Sequence, residues 1–350
     1  MTALGERLTE RIRASGPISL ADYMEACNDA YYGTRDPFGA AGDFITAPEI
    51  SQVFGELIGL WCVDYWRRCG APDAFFLVEL GPGRGTQMAD ALRAARLVPE
   101  FLRAAKLHLV ERSPVLRREQ AERLATFAPR WHDSVVTLPE GPMLLVANEF
   151  LDALPIRQFL AERGAWRERL VGLRDDRDGF CLLNAPEPSA LDRPPAEDGA
   201  ICELAPAAAK LAQDLARRLT DKGGAALFFD YGFFPSGCGD TLQALRHHRS
   251  HAVLEDAGEA DLTAHVDFAA FARAGRTGGA AIYGPVTQGQ FLIRLGLEAR
   301  CAALLKTATP SQTESIRSGC RRLIEPAQMG SLFKVLALGQ KGAPVPAGFG

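Results

Sequence analysis

Apolar residues follow two rhythms along the chain, and the rhythm changes near residue 75. Before that point the spacing is helical. Two helices are expected to open the protein, the second with Ser19 and Asp22 at capping-box spacing and Ile18 placed as a hydrophobic staple. A glycine-rich, aromatic stretch follows, YYGTRDPFGAAGDFITAPEIS. It ends with Thr46 and Glu49 in the same capping spacing and Pro48 in the first turn. The helix they open carries Val53, Phe54, Leu57, Ile58, Trp61 and Tyr65 at helical intervals, which predicts one buried face.

Beyond residue 75 the apolar runs are short and unbroken: FFLVEL, LHLVE, MLLVANE and ALFFDYG. Such runs suit strands covered on both faces. Ser113-Pro114 opens a helix after the second run, and an Ala- and Leu-rich helix stopped by Gly223-Gly224 precedes ALFFDYG. Strands alternating with helices predict an α/β fold with a largely parallel, doubly wound sheet. Residues 157–200 interrupt the alternation. RQFLAERGAWRERLVGLRDDRDGFCLLN predicts two or three antiparallel strands turning at Arg163-Gly164 and near Asp178-Gly179, and a Pro-rich polar loop follows. We read this as a small antiparallel β insertion after the strand MLLVANE. The organisation expected is an N-terminal helical region at 1–70, a core at 71–340 with the insertion at 157–200, and a loose tail at 341–350.

Composition narrows the function classes. A chain of 350 residues with 47% hydrophobic and 23% charged residues reads as an ordinary soluble globular protein. Its formal charge of −4 supplies no positive field for nucleic acid, and no apolar run approaches the roughly 18 residues of a membrane span. The eight cysteines are scattered without a CxxC pair, so neither a metal site nor a disulfide framework is expected, and a reducing cytoplasm fits. In RHHRSH, Arg246 to His251, adjacent histidines point in different directions, so this is read as an exposed basic or substrate-facing loop. The basic, amphipathic N-terminus has the look of a transit peptide, which would place the protein in the mitochondrial matrix. Glu6 and Glu10 favour a plain surface helix instead.

The turn VELGPGRGT carries the first candidate chemistry. Gly81, Gly83 and Gly85 follow a strand, at the end of the sheet where ligands bind and where glycine lets backbone approach closely. A phosphate-binding GxxxxGK[ST] loop requires a lysine that is absent, and the dinucleotide fingerprint requires glycine where Thr86 stands. GxGxG with Glu79 just upstream fits a nucleoside without a pyrophosphate, and S-adenosylmethionine, whose sulfonium is cationic, fits carboxylates nearby. A structural glycine turn and an NAD oxidoreductase are the alternatives. Glu111, ending the next strand, is placed to accept both ribose hydroxyls, and Asp133 to accept the adenine amino group. Their bland readings are a solvated carboxylate before a helix and a turn aspartate.

Longer stretches carry a family resemblance: GDFITAPEISQVFGEL, VELGPGRGT, HLVERSP, ANEFLDALPIRQF, FFDYG, GDTLQALRHH, DLTAHVDF, GPVTQGQFLIRLG and MGSLFKVLAL. The chain resembles the MidA family of class I S-adenosylmethionine-dependent methyltransferases, bacterial relatives of a mitochondrial complex I assembly methyltransferase. Ala257 departs from the pattern, which leads one to expect proline there. The resemblance implies a Rossmann-like seven-stranded methyltransferase sheet, S-adenosylmethionine as cofactor, and a protein substrate, in the mitochondrial relatives an arginine of a complex I subunit. It also implies that the GDFITAPEIS loop covers the cofactor. There Gly42 allows a tight turn, and the helix start at Thr46 offers free N–H groups to a carboxylate such as the cofactor's methionine tail. A homodimer is compatible with the chain.

Methyl transfer to arginine has its own requirement. The guanidinium stays protonated, so carboxylates must pair with two of its nitrogens and align the third. ANEFLDALP supplies Glu149 as the first candidate clamp, Asp152 as its support and Asn148 facing the cofactor. Asp152 could instead cap a short turn. His265 is a second candidate in AHVDF, where a hydrogen-bonded core histidine and an N-cap at Asp267 are the bland readings. A small-molecule methyltransferase and an assembly chaperone that binds S-adenosylmethionine without turnover remain the other function classes.

Overall fold

Thr2 and Gly16 bracket the first helix, α1 (Ala3–Ser15): the Thr2 hydroxyl accepts the Gly5 N–H, and Gly16 ends the helix at φ +84. A computed structural model of the protein describes residues 2–34, 46–175, 179–193 and 197–350. After a two-residue strand, β1 (Ile18–Ser19), comes α2 (Leu20–Thr34), where Ser19 Oγ accepts the Asp22 N–H at 3.0 Å. The single helix expected after Thr46 is two: α3 (Ala47–Ile50) and α4 (Gln52–Arg68). Ser51 separates them because its extended backbone and hydroxyl, which accepts the Val53 N–H, make it an N-cap in its own right.

The main sheet is built from β2 (Phe75–Leu80), β3 (Ala105–Val110), β4 (Arg130–His132) and β5 (Met143–Asn148), with α5 (Thr86–Ala95), α6 (Pro99–Ala104) and α7 (Pro114–Arg123) between them. The interrupting segment supplies β6 (Arg157–Glu162), β7 (Ala165–Leu173), β8 (Phe180–Asn184) and β9 (Ile201–Leu204). After α8 (Pro206–Lys222) come β10 (Gly224–Phe233), β11 (Gln243–Arg246), β12 (Arg249–His251), β13 (Asp261–Thr263) and β14 (Val266–Asp267). The chain then runs through α9 (Phe268–Thr277), β15 (Ala281–Thr287), α10 (Gln288–Arg294), α11 (Leu297–Leu305), α12 (Pro310–Ile324) and β16 (Phe333–Gly339).

Seven strands lie in the order β15-β16-β10-β5-β2-β3-β4, with the short β14 beside β10. The five from β10 to β4 are parallel, and β16 runs antiparallel to both its neighbours. This is the methyltransferase-type α/β sheet that the sequence led us to expect. Helices cover both faces: Leu77 packs toward α4 and α5, whereas Val78 and Leu80 pack toward α8 and α9. From β2 the chain moves outward to β3 and β4, then returns to place β5 on the other side of β2. The crevice between the carboxyl ends of β2 and β5 is therefore the topological switch point, where α/β sheets bind ligands.

A second sheet, β1-β7-β6-β9 with β8 on β7, joins the insertion to the N-terminus. The Arg163-Gly164 turn is present, both residues at positive φ, whereas Asp178 lies outside the described residues. Leu8, Ile12 and Leu20 of the N-terminal segment pack on this sheet with Val171 and Phe180.

Two expectations are corrected, and the third, an exposed basic loop, is given its geometry. Residues 341–350 are packed, not loose, because the Phe349 ring seats 5.1 Å from Phe291 and the Ala347 carbonyl accepts the Trp61 indole N–H. Cys301 and Cys320 form a disulfide, which their spacing in sequence could not reveal because α11 and α12 bring them together. RHHRSH is a tight β11–β12 hairpin with His247 and His248 at its turn, and Arg246 pairs with Asp256 at 2.8 Å.

Candidate functional site

At the end of β2 the chain turns through Gly81, Gly83 and Gly85, at φ +58, +52 and +77. Side-chained residues rarely adopt these values. A Cβ on the exposed Gly81 would also meet the Phe150 ring at 2.9 Å. The Gly83 carbonyl accepts the Gln120 side-chain N–H at 2.6 Å, which ties the turn to α7. Thr86, where a dinucleotide site needs glycine, donates its hydroxyl to Glu49 and receives Arg123. This pulls α3 against the glycine turn and explains a further difference. Thr46 sits at the helix cap, but its side chain makes no capping bond: the Glu49 N–H goes to the Thr46 carbonyl, and the Glu49 carboxylate is held by Thr86. Gly42 lies outside the described residues.

The acidic candidates divide by place. Glu111 ends β3 with Oε1 accepting the Ser113 N–H at 2.8 Å and Oε2 accepting Gln120 at 3.4 Å. Burial pushes its carboxyl up, against those donors. Asp133 stands beyond the edge strand β4, largely exposed, and pairs with Arg117, whose Nε donates to the Glu111 carbonyl. A 3-10 turn at Val135–Thr137 follows Asp133. Glu79 is enclosed beneath α5: Oε1 accepts the Gln87 amide at 2.9 Å, Oε2 has no partner among the described residues, and burial pushes the carboxyl up to about 8.

Asn148, Glu149 and Asp152 come together where β5 ends. Glu149 has φ +49, a left-handed conformation that a non-glycine residue holds only when its surroundings impose it. Its Oε1 accepts the Ala47 N–H and the Asn148 side-chain N–H, both at 3.2 Å. The helix-start donor expected to meet the cofactor thus meets Glu149. Part of the Glu149 surface is open, yet protein surrounds the carboxylate, and this desolvation with the nearby Asp152 pushes it up to about 8. Asp152 is buried and bonded to the Tyr231 hydroxyl, which lowers its carboxyl, but burial outweighs this and raises it. Asp152 Oδ1 and Asn148 Oδ1 are buried acceptors without a donor among the described residues.

His265 is placed differently from these carboxylates. Its ring lies edge-on to Tyr231, centroids 5.3 Å apart, and burial lowers its pKa, so it is neutral there. Asp267 caps α9 by accepting the Ala270 N–H. Sequence reasoning missed Asp230, Tyr231, Tyr32 and Asp261. Asp230 and Tyr231 lie near the carboxyl end of β10, just past its last pairing with β5, so the strand-end rule applied to FFDYG could have found them. Tyr32 of α2 donates to Asp261 at 2.7 Å, beside the same cluster. Among the described residues no group of His, Cys, Asp and Glu is arranged to hold a metal. No helix among them is long and apolar enough to cross a membrane.

The residues present fit S-adenosylmethionine. The glycine turn, exposed at Gly81, offers backbone to a nucleoside, Glu111 an acceptor, and the donorless oxygens of Asn148 and Glu79 suit a cationic ligand. Comparison with known proteins agrees. The family model described as "Putative S-adenosyl-L-methionine-dependent methyltransferase" matches residues 57–286. The protein arginine methyltransferase NDUFAF7 homolog of Drosophila melanogaster is 39% identical over 96% of this chain and 84% of its own length. Human NDUFAF7 is 35% identical over 97% of this chain and 83% of its own. A solved protein from Burkholderia thailandensis, bound to S-adenosyl-homocysteine, superposes with a TM-score of 0.84 at 28% identity, covering 99% of this chain and 94% of that one. The chain belongs to this family of S-adenosyl-L-methionine-dependent methyltransferases.

Proposed function

We propose that the chain methylates an arginine side chain of a protein. The observation that carries the proposal is the cluster of Glu149, Asp152 and Asp230. Burial raises the proton affinity of all three carboxyls; Asp152 and Asp261 push Glu149 further up, and Asp152 and Glu149 do the same to Asp230. Buried charge requires a partner, and a planar guanidinium supplies both the positive charge and paired N–H donors.

Because Ala47 and Asn148 occupy Glu149 Oε1, its Oε2 is left for the substrate guanidinium. Asp152 Oδ1 supplies a second acceptor. The pair fixes two guanidinium nitrogens and aligns the third, a gain of positioning that contributes several kcal/mol. S-adenosylmethionine, when bound, supplies an electrophilic methyl group for in-line displacement. The nitrogen that takes the methyl sheds a proton, and Glu149 Oε2, with its raised proton affinity, is its acceptor. Gly81, Gly83 and Gly85 would hold the nucleoside, with Glu111 on the ribose, Asp133 toward the adenine, and Thr46, Glu79 and Asn148 around the methionine portion. His265 bounds the substrate side.

The relatives' names support arginine as the target. The family resemblance makes a complex I subunit or its bacterial counterpart the first substrate to test. We read the place of action as a bacterial cytoplasm on the family resemblance, with the Cys301–Cys320 disulfide the observation that stands against a reducing compartment. Incubating the protein with methyl-labelled cofactor and cognate extract, then mapping the label by mass spectrometry, decides the matter. Label on an arginine is the expected result. Label on lysine, or on small molecules alone, would overturn the reading.

A further inference from the structure

We propose that Asp230 is the positioning residue of this site, holding Glu149 in its working conformation by gathering the main-chain N–H groups that follow it. The proposal rests on the guanidinium clamp assigned to Glu149. β5 and β10 pair in parallel up to Asn148 and Phe229, and the last ladder bond runs from the Glu149 N–H to the Phe229 carbonyl at 2.9 Å. The next residue on β10 is Asp230, which has no exposed surface. Its Oδ2 accepts the N–H groups of Phe150, Leu151 and Asp152 at 3.2, 2.8 and 3.2 Å, and its Oδ1 accepts the Tyr231 N–H at 2.9 Å.

Three successive donors on one oxygen oblige the chain after Glu149 to curl around it. That curl begins with the left-handed φ of Glu149. Buried N–H groups must find acceptors, so without the carboxylate the turn would have to re-form with other partners. One side chain therefore fixes the direction in which Glu149 and Asp152 leave the strand. It also places a third carboxyl beside them: burial, then Asp152 and Glu149, push the Asp230 carboxyl well up, while the backbone donors pull it down. Asp230 does not itself face the substrate. Supporting a reactive side chain through a locked turn is what keeps such a group within a fraction of an ångström of its working position.

Asp230→Asn keeps one oxygen for the three donors, removes the charge and turns an amide N–H toward the Tyr231 N–H. The expected result is a folded enzyme that binds S-adenosylhomocysteine within about twofold of wild type. Its kcat should fall at least about tenfold, and the acid limb of its pH–rate profile should move, because the turn that sets the Glu149 carboxyl against Asp152 and the Ala47 N–H is altered. Wild-type kcat with an unmoved limb would overturn the proposal. So would a fall in kcat matched by equal losses of cofactor affinity and melting temperature, since that marks a merely structural residue. Should the variant not fold, amide exchange by NMR on the wild-type protein serves instead. Protected amides at Phe150, Leu151 and Asp152 are expected, and exchange as fast as an exposed loop would refute the turn. Failure of the clamp reads differently: Glu149→Gln would then stay active, whereas failure of this proposal alone leaves Glu149→Gln inactive and Asp230→Asn active.

Discussion

The main-chain N–H of Ala47 donates to Glu149 Oε1 at 3.2 Å, joining residues 102 positions apart in the chain. The same short helix holds Thr86 through Glu49, so α3 spans from the glycine turn to the acid cluster. A donor aimed at a carboxylate favours its ionised form. The Glu149 carboxyl stands at about 8, so kcat/KM for the protein substrate should climb about tenfold per pH unit below that value and level off above it. Ala47→Pro removes the donor at a first-turn position that accepts proline, and Thr46 is already extended, as a residue before proline prefers. A hydrogen bond to a charged group is worth about 1.5 kcal/mol, or about one pH unit. The variant's acid limb should therefore move up by that amount, and rates measured from pH 6 to 9 check it.

Glu149→Gln keeps the size of the side chain and an acceptor for Ala47 but loses the charge that pairs with a guanidinium. Interactions made chiefly in the transition state lower turnover and spare ground-state binding. Calorimetry should show nearly unchanged S-adenosylmethionine affinity, and kcat should drop about 100-fold, the scale of one lost electrostatic group. Full activity in this variant would remove Glu149 from the mechanism.

On the cofactor side, Glu111→Ala gives up acceptors for the ribose hydroxyls. Charge-assisted bonds of this kind are worth about 1.5–3 kcal/mol, so S-adenosylhomocysteine should bind roughly ten- to a hundredfold more weakly. Gly81→Val should weaken it as well, because its φ of +58 is hostile to a branched side chain and the Phe150 ring blocks the new Cβ. Normal affinity in both variants would sink the assignment of this crevice.

Legibility in the sequence followed how local each cause was. FFLVEL and MLLVANE announce themselves because a strand covered on both faces is apolar at every position, Glu79 and the terminal Asn148-Glu149 being the exceptions that mark the site. Neither half of the Thr46–Glu49 box forms: Thr86, far along the chain, holds the Glu49 carboxylate, and the Glu49 N–H goes to the Thr46 carbonyl. The strand-end rule applied to FFDYG marks the place of Asp230, but its role was hidden for a similar reason. Within FFDYG it is one polar residue in a strand, and only the pairing of β10 with β5 sets it beneath residues 150–152. The small sheet was half legible, since its hairpin turn at Arg163-Gly164 is local but its β1–β7 edge joins distant segments.

Glu79 tests whether a buried carboxylate is retained for the cofactor at the expense of stability. Its folded pKa of about 8 lies above the ordinary value of 4.5, so the folded state holds a proton that the unfolded state releases between those values. Stability is therefore greatest below the ordinary value and declines as pH rises toward 8, by roughly 1 kcal/mol per pH unit from this group. Glu79→Gln has no proton to lose. Its denaturant midpoint should match wild type near pH 5 and exceed it progressively toward pH 8. The opposite effect is expected on binding. S-adenosylmethionine and S-adenosylhomocysteine share every group but the methyl, and only the former carries a sulfonium charge. If the Glu79 carboxylate serves that charge, the substitution should weaken S-adenosylmethionine several-fold more than S-adenosylhomocysteine, because a favourable charge pair in a low-dielectric site is lost for one ligand alone. Calorimetry with both ligands at pH 8 measures the ratio. An unchanged ratio alongside the stability gain would make Glu79 a buried acid with no part in holding the cofactor's charge.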